Sequence, residues 1–210
     1  MMKIREVLAL APVIPVLTLE KLEHAAPLAQ ALYAGGLRVL EITLRTEVAL
    51  QVIEAMRRAV PRAVVGAGTL LRPQDFKRVE EVGAQFAVTP GLTPQLAEAA
   101  KAVKLALLPG IVSPSEILQA LHFGYDTLKF FPAQQAGGIP MLQAFAGPFA
   151  NVAFCPTGGI SRDTAPAFLK LRNVLCVGGS WVAPNALVEA GDWAGIEALA
   201  RDAAELPRHS

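Results

Sequence analysis

A lysine stands in the middle of Thr127-Leu128-Lys129-Phe130-Phe131-Pro132-Ala133, a run whose other residues have the apolar, aromatic content of a buried β-strand. Taking an ammonium group out of water is costly unless the group is paired or loses its proton. The chemistry open to it is nucleophilic, because a neutral lysine amine adds to a carbonyl carbon and forms a Schiff base. Desolvation favours that neutral form, so the reaction calls for neither metal nor cofactor. A second charged segment, Glu41-Ile42-Thr43-Leu44-Arg45, alternates polar and apolar residues. On a strand, period two sends Glu41, Thr43 and Arg45 to one face, offering an acid to move protons and a guanidinium to clamp a carboxylate through two parallel hydrogen bonds. Lys129 and Phe131 share a face by the same rule. Two readings stay open on these residues alone: a nucleophile with its acid, or a buried Glu41–Lys129 ion pair of purely structural use.

Small residues end the other strand-like runs. Gly66-Ala67-Gly68-Thr69 and Thr89-Pro90-Gly91 would let a substrate approach the backbone, with the Thr69 hydroxyl as a donor, although glycines also punctuate ordinary strand ends. Cys155-Pro156-Thr157-Gly158-Gly159-Ile160-Ser161 and Cys176-Val177-Gly178-Gly179-Ser180-Trp181 each contain a Gly-Gly step. Exposed backbone N–H groups at two successive strand ends suit a phosphate.

The elements that must position these residues recur along the chain. Short β-branched runs over 14–19, 39–44, 63–70, 85–90, 105–111, 127–133, 152–160 and 174–180 alternate with helical patterns over 47–59, 73–82, 94–100, 114–122, 140–146 and 164–171. Strand then helix, eight times, predicts parallel pairing closed into a (β/α)8 TIM barrel of minimal length, one domain spanning 1–210. A short helix is expected within 1–10 and a C-terminal helix and tail over 192–210. Pro27 requires the helical pattern over 22–34 to start near it or bend. An open doubly wound sheet is the competing architecture, but Leu17-Thr18-Leu19-Glu20 stands where its glycine fingerprint would be.

Of 210 residues, 53% are hydrophobic and 18% charged, and the net charge is +1. That balance speaks for a core-rich fold with no basic surplus for nucleic acid, and no apolar run has membrane-spanning length. Lys3 and Arg5 precede an apolar stretch, yet Glu6, Pro12 and Pro15 interrupt it, so a cytoplasmic protein without an export signal is expected. His24, His122, His209, Cys155 and Cys176 lie at no metal-ligand spacing, and the cysteines read as buried hydrophobes.

Taken together, Glu41-Ile42-Thr43-Leu44-Arg45-Thr46, the Gly66, Pro90 and Lys129 segments, Ala146-Gly147-Pro148-Phe149 and the two Gly-Gly segments resemble the 2-keto-3-deoxy-6-phosphogluconate (KDPG) and 4-hydroxy-2-oxoglutarate (KHG) aldolase family, in order and over nearly the whole chain. The resemblance implies a class I lyase that cleaves a phosphorylated keto-deoxy sugar acid to pyruvate and glyceraldehyde 3-phosphate, closing the Entner-Doudoroff route. It implies a homotrimer, and activity on 4-hydroxy-2-oxoglutarate as well. Lys129 matches the Schiff-base lysine and Glu41 the proton-moving carboxylate. Arg45 and Thr69 match pyruvate-carboxylate ligands, Pro90 and Phe131 the pocket lining, and Thr157, Gly158, Gly159, Gly179 and Ser180 the hydroxyl and phosphate end. Gln134-Gln135-Ala136 departs from relatives that carry a glutamate there. Thr157, where galactonate-type sister enzymes carry an apolar residue, points to the gluconate epimer. A galactonate-epimer aldolase, a non-catalytic phosphosugar-binding barrel and a phosphate-binding barrel isomerase or decarboxylase are the alternatives.

Overall fold

The computed structural model describes residues 2–208; Met1, and His209 and Ser210 at the end of the expected tail, lie outside the described residues. Among the described residues there are nine strands, separated by helices except between the fifth and sixth: β1 (Val13–Leu17), β2 (Val39–Thr43), β3 (Val64–Gly68), β4 (Phe86–Val88), β5 (Ala106–Leu108), β6 (Gly110–Ile111), β7 (Thr127–Phe130), β8 (Ala153–Pro156) and β9 (Val177–Gly179). All ladders are parallel. One sheet runs β5-β4-β3-β2-β1-β9 and the other β6-β7-β8. The run expected at 105–111 is one stave cut in two at Pro109, which has no N–H to give to a ladder. Its two pieces join the sheets on that side. Isolated parallel bridges, Phe154 to Val174 and Thr157 to Gly178, join β8 to β9 on the other. The result is the closed eight-stave barrel that the strand-helix alternation predicts.

The helices are α1 (Ile4–Leu8), α2 (Ala25–Ala34), α3 (Ala49–Ala59), α4 (Pro73–Glu81), α5 (Pro94–Lys101), α6 (Pro114–His122), α7 (Gly138–Ala146), α8 (Ala165–Leu169), α9 (Asn185–Ala190) and α10 (Trp193–Ala204). Their starts follow from local chemistry. Thr93 accepts from the Leu96 N–H ahead of Pro94, and Ser113 and Glu116 cap each other's backbone ahead of Pro114. Pro27 falls in the first turn of α2, after a 3₁₀ turn at Leu22–His24, so the helix starts there without bending. The outward faces of the staves, among them Leu40, Ile42, Val65 and Leu128, pack with the helices into the larger apolar core.

Inside the ring a smaller cluster fills the lower half: Ile14, Val39, Phe86, Val88, Ala106, Leu108, Cys155 and Cys176, closed from below by Val7 and Leu8 of α1. Burying a leucine completely contributes about 1.5 to 3 kcal/mol, so α1, only five residues long, is held by what it plugs and not by its own turns. Burial first, and the adjacent Cys155 thiol next, push the Cys176 thiol well above the usual thiol range.

Candidate active site at the barrel mouth

Alternation along the staves carries the charged residues into the upper half of the same interior. On β2, Val39 faces the floor cluster, so Glu41 and Thr43 point inward above it, while Leu40 and Ile42 go out to the helices. On β7, Lys129 is hydrogen-bonded into the ladders on both sides, opposite Gly110 on β6 and Cys155 on β8. The Lys129 Nζ donates to Glu41 Oε1 at 3.4 Å, with 6% and 3% of these two residues exposed. The ammonium also lies 5.2 Å from the centre of the Phe131 ring. Removing one partner from such a buried pair typically costs about 3 to 5 kcal/mol, which is why the two residue types have to occur together.

Gly68 gives the carboxylate its place. A Cβ on residue 68 would fall on Glu41 Oε1, so the end of β3 has to be bare for the acid to reach past it. The next residue, Thr69, has φ of 62°, a left-handed conformation that a β-branched residue rarely adopts. Backbone strain of this kind gathers at functional sites, and here it sits on a residue singled out as a substrate contact.

The Gly-Gly rim is built from two interlocked loops. Gly158 and Gly159 have φ of 104° and 73°, where a side chain would be strained, and a Cβ on Gly158 would stand 3.2 Å from Pro132 Cα. The Ala133 N–H donates to the Thr157 carbonyl at 2.8 Å and the Gln134 N–H to the Gly158 carbonyl at 3.1 Å. The loop that follows Lys129 thus holds the loop that carries the glycines. Thr157 is buried, its hydroxyl 3.4 Å from the Cys155 carbonyl, and it packs on Gly178 of the next stave. Gly179 is buried and Ser180 exposed at the mouth, where Ser180 lines a cavity of about 360 Å³. Pro90 is half-buried beside Gly110, the ladder partner of Lys129.

Arg45 lies beyond the end of its strand. β2 ends at Thr43 and the chain turns at Leu44 and Arg45, so period two no longer applies. The alternation that turns Glu41 and Thr43 inward therefore does not extend to residue 45. Arg45 is exposed on the loop at the mouth and takes part in no ion pair among the described residues. Thr18 escaped the sequence reading altogether. It ends the inward row Ile14, Val16, Thr18 and reaches the Thr43 hydroxyl, and its only signal was a polar residue closing an apolar alternation.

The KDPG and KHG aldolase family model matches residues 4–199. The chain belongs to that family. It is 52% identical over 199 residues to the KHG/KDPG aldolase of Escherichia coli (strain K12), covering 95% of this chain and 93% of that one. A crystal structure of the Legionella pneumophila KDPG aldolase, with pyruvate captured at low pH as a covalent carbinolamine intermediate, superposes with a TM-score of 0.95 at 45% identity, over 97% of this chain and 99% of that one. The 2-keto-3-deoxy-6-phosphogluconate aldolase of Zymomonas mobilis ZM4, solved with 3-phosphoglycerate, gives a TM-score of 0.91 at 49% identity, over 96% and 95% of the two chains. A family member caught with pyruvate as a carbinolamine is the adduct that an amine nucleophile leaves, and the buried lysine of this KDPG and KHG aldolase chain stands in a matching barrel.

Proposed function

We propose that this protein is a class I aldolase that cleaves 2-dehydro-3-deoxy-6-phosphogluconate to pyruvate and D-glyceraldehyde 3-phosphate, the closing step of the Entner-Doudoroff route. The observation that carries the reading is the Lys129–Glu41 pair, 3.4 Å apart and buried at the working end of the barrel. Lys129 Nζ adds to the C2 ketone to give a carbinolamine, which loses water to form an iminium. Glu41, directly or through a water, takes the C4 hydroxyl proton. The C3–C4 bond breaks, its electron pair passes into the iminium to leave an enamine, and the aldehyde departs. Glu41 returns the proton to C3, and hydrolysis of the iminium releases pyruvate and the free amine.

Arg45 and Thr69 hold the pyruvate carboxylate in this reading, with Pro90 and Phe131 flanking the ketone. An exposed Arg45 serves by folding onto the carboxylate once substrate is bound. Thr157, Gly158, Gly159, Gly179 and Ser180 receive the hydroxyl and phosphate end, and the buried Thr157 hydroxyl favours the gluconate over the galactonate epimer. Cleavage of 4-hydroxy-2-oxoglutarate to pyruvate and glyoxylate is a side activity, in keeping with the double name of the E. coli relative.

The working unit is a homotrimer in the cytoplasm. Leu71 and Leu118, each 60% exposed, offer apolar surface for such contacts. No helix among the described residues is long and apolar enough to cross a membrane.

Incubation with pyruvate and borohydride tests the chemistry. Peptide mapping should locate one reduced pyruvyl adduct, on Lys129, and saturating pyruvate without an adduct would overturn the reading. Lactate dehydrogenase coupling with the gluconate and galactonate substrates then ranks the epimers, and light scattering gives the subunit count.

A further inference from the structure

Between the Glu41 layer and the rim, two hydroxyls face each other. The register that pairs Val16 with Glu41 brings Thr18 opposite Thr43, one inward position nearer the mouth. Their Oγ1 atoms lie 2.7 Å apart. Thr43 is 1% exposed and has no other side-chain partner among the described residues, whereas Thr18 is exposed at the mouth. A hydroxyl carries one proton and two lone pairs. Either hydroxyl can donate across this contact, and the arrangement that leaves no buried proton unpaired has Thr43 donating to the Thr18 oxygen, with the Thr18 proton turned outward.

Thr18 also lines the cavity of about 360 Å³ that contains Val16, Ser180 and Asn185. In the proposed reaction the C2 ketone is at Lys129, the C4 hydroxyl at Glu41 and the phosphate at the Gly-Gly rim with Ser180. The carbon that spans the remaining gap is C5, with its own hydroxyl. Thr18 is one inward position nearer the mouth than Val16, the ladder partner of Glu41, and it lines the same cavity as Ser180, so its hydroxyl lies on the Ser180 side of the Glu41 layer.

We propose that Thr18, oriented by Thr43, is a specificity-determining residue that donates a hydrogen bond to the C5 hydroxyl oxygen of the six-carbon substrate, which becomes the C2 hydroxyl of the released aldehyde. This assignment rests on the aldolase reading. It gives the enzyme a way to recognise the aldehyde half of the molecule that depends neither on the lysine chemistry nor on phosphate.

The condensation direction tests it, with pyruvate and either D-glyceraldehyde 3-phosphate or 3-oxopropyl phosphate, which lacks only the hydroxyl in question. The protein should prefer the hydroxylated aldehyde in kcat/KM. Thr18→Val, isosteric and at an exposed position, should shrink that preference by about three- to tenfold, chiefly through the KM for glyceraldehyde 3-phosphate, as expected for one neutral hydrogen bond. Thr18→Ser should keep it. A Val variant that retains the full preference, or that loses rate equally on both aldehydes, overturns the role of Thr18 and leaves the aldolase reading standing. A parent protein that condenses neither aldehyde with pyruvate overturns both.

Discussion

The floor and the mouth of this barrel are lined by the same staves with the same alternation, yet they are filled in opposite ways. At the floor, Ile14, Val39, Phe86, Ala106 and the two cysteines interdigitate and α1 seals them in. A few ångströms higher, on the next inward positions of the same strands, stand Glu41, Thr43, Lys129 and Thr157, with bare glycine at residue 68 where a side chain would crowd the acid. The floor spends its positions on packing and contributes stability. The mouth gives up packing for charge, hydroxyls and empty space, and is where the proposed chemistry is set. A residue's height on its stave thus says more about its role than its chemical type does. The threonines show this: Thr127 is a buried floor-side residue bonded to its neighbour Asp126, while Thr157 belongs to the rim.

Substitutions at each level should separate the two roles. Lys129→Met should give the largest effect, a loss of at least about a thousandfold in kcat and of the borohydride adduct, with cooperative unfolding retained. A variant that still turns over at a tenth of the parental rate would contradict the division. Leu8→Ala, at the floor, should lower stability by about 2 to 4 kcal/mol through the cavity it leaves, with kcat per folded molecule unchanged at 25 °C. Thermal melts paired with active-site titration read both quantities. Gly68→Ala should do the reverse: it pushes the Glu41 carboxylate aside and lowers kcat by about ten- to a hundredfold, with a smaller stability loss of about 1 to 2 kcal/mol. Pyruvate trapping should persist in that variant, since Lys129 is untouched.

The smallest expected effect is on the pH dependence of stability. Because the Cys176 thiol is held well above its ordinary range in the folded protein, the unfolded chain ionises first. The thiol's contribution is complete below about pH 8.5 and is lost as pH rises beyond it, by up to about 1.4 kcal/mol per unit. Urea titrations between pH 8 and 10 should show this slope in the parent, and Cys176→Ala should flatten it.

Much of this division could be read from residue order. The β-branched runs followed by capped helices specify the barrel, and a lysine or glutamate amid apolar neighbours marks an inward position that has to be matched across the ring. What escaped was set by where a strand stops. Arg45 continues the alternation on paper, but β2 gives way to a turn at Leu44, and only the ladder shows that. Pro109 splits its stave without ending it, because the closed ring supplies neighbours on both sides. The Thr18–Thr43 contact depends on the register between β1 and β2, which no local pattern encodes, and the left-handed Thr69 is imposed by tertiary context against its own preference.

The seam between β8 and β9 has a further consequence. Lys129 sits on a stave laddered to both neighbours, whereas among the described residues the β8 stave meets the β9 stave at isolated bridges, one of them between Thr157 and Gly178 beneath the glycine rim. The ring is thus laddered on both sides of the proposed nucleophile and held by isolated bridges beneath the rim proposed for the far end of the substrate. In the proposed reaction the amine and the phosphate rim therefore rest on differently connected parts of the ring, and a substitution at the rim is expected to change substrate range before it shifts Lys129.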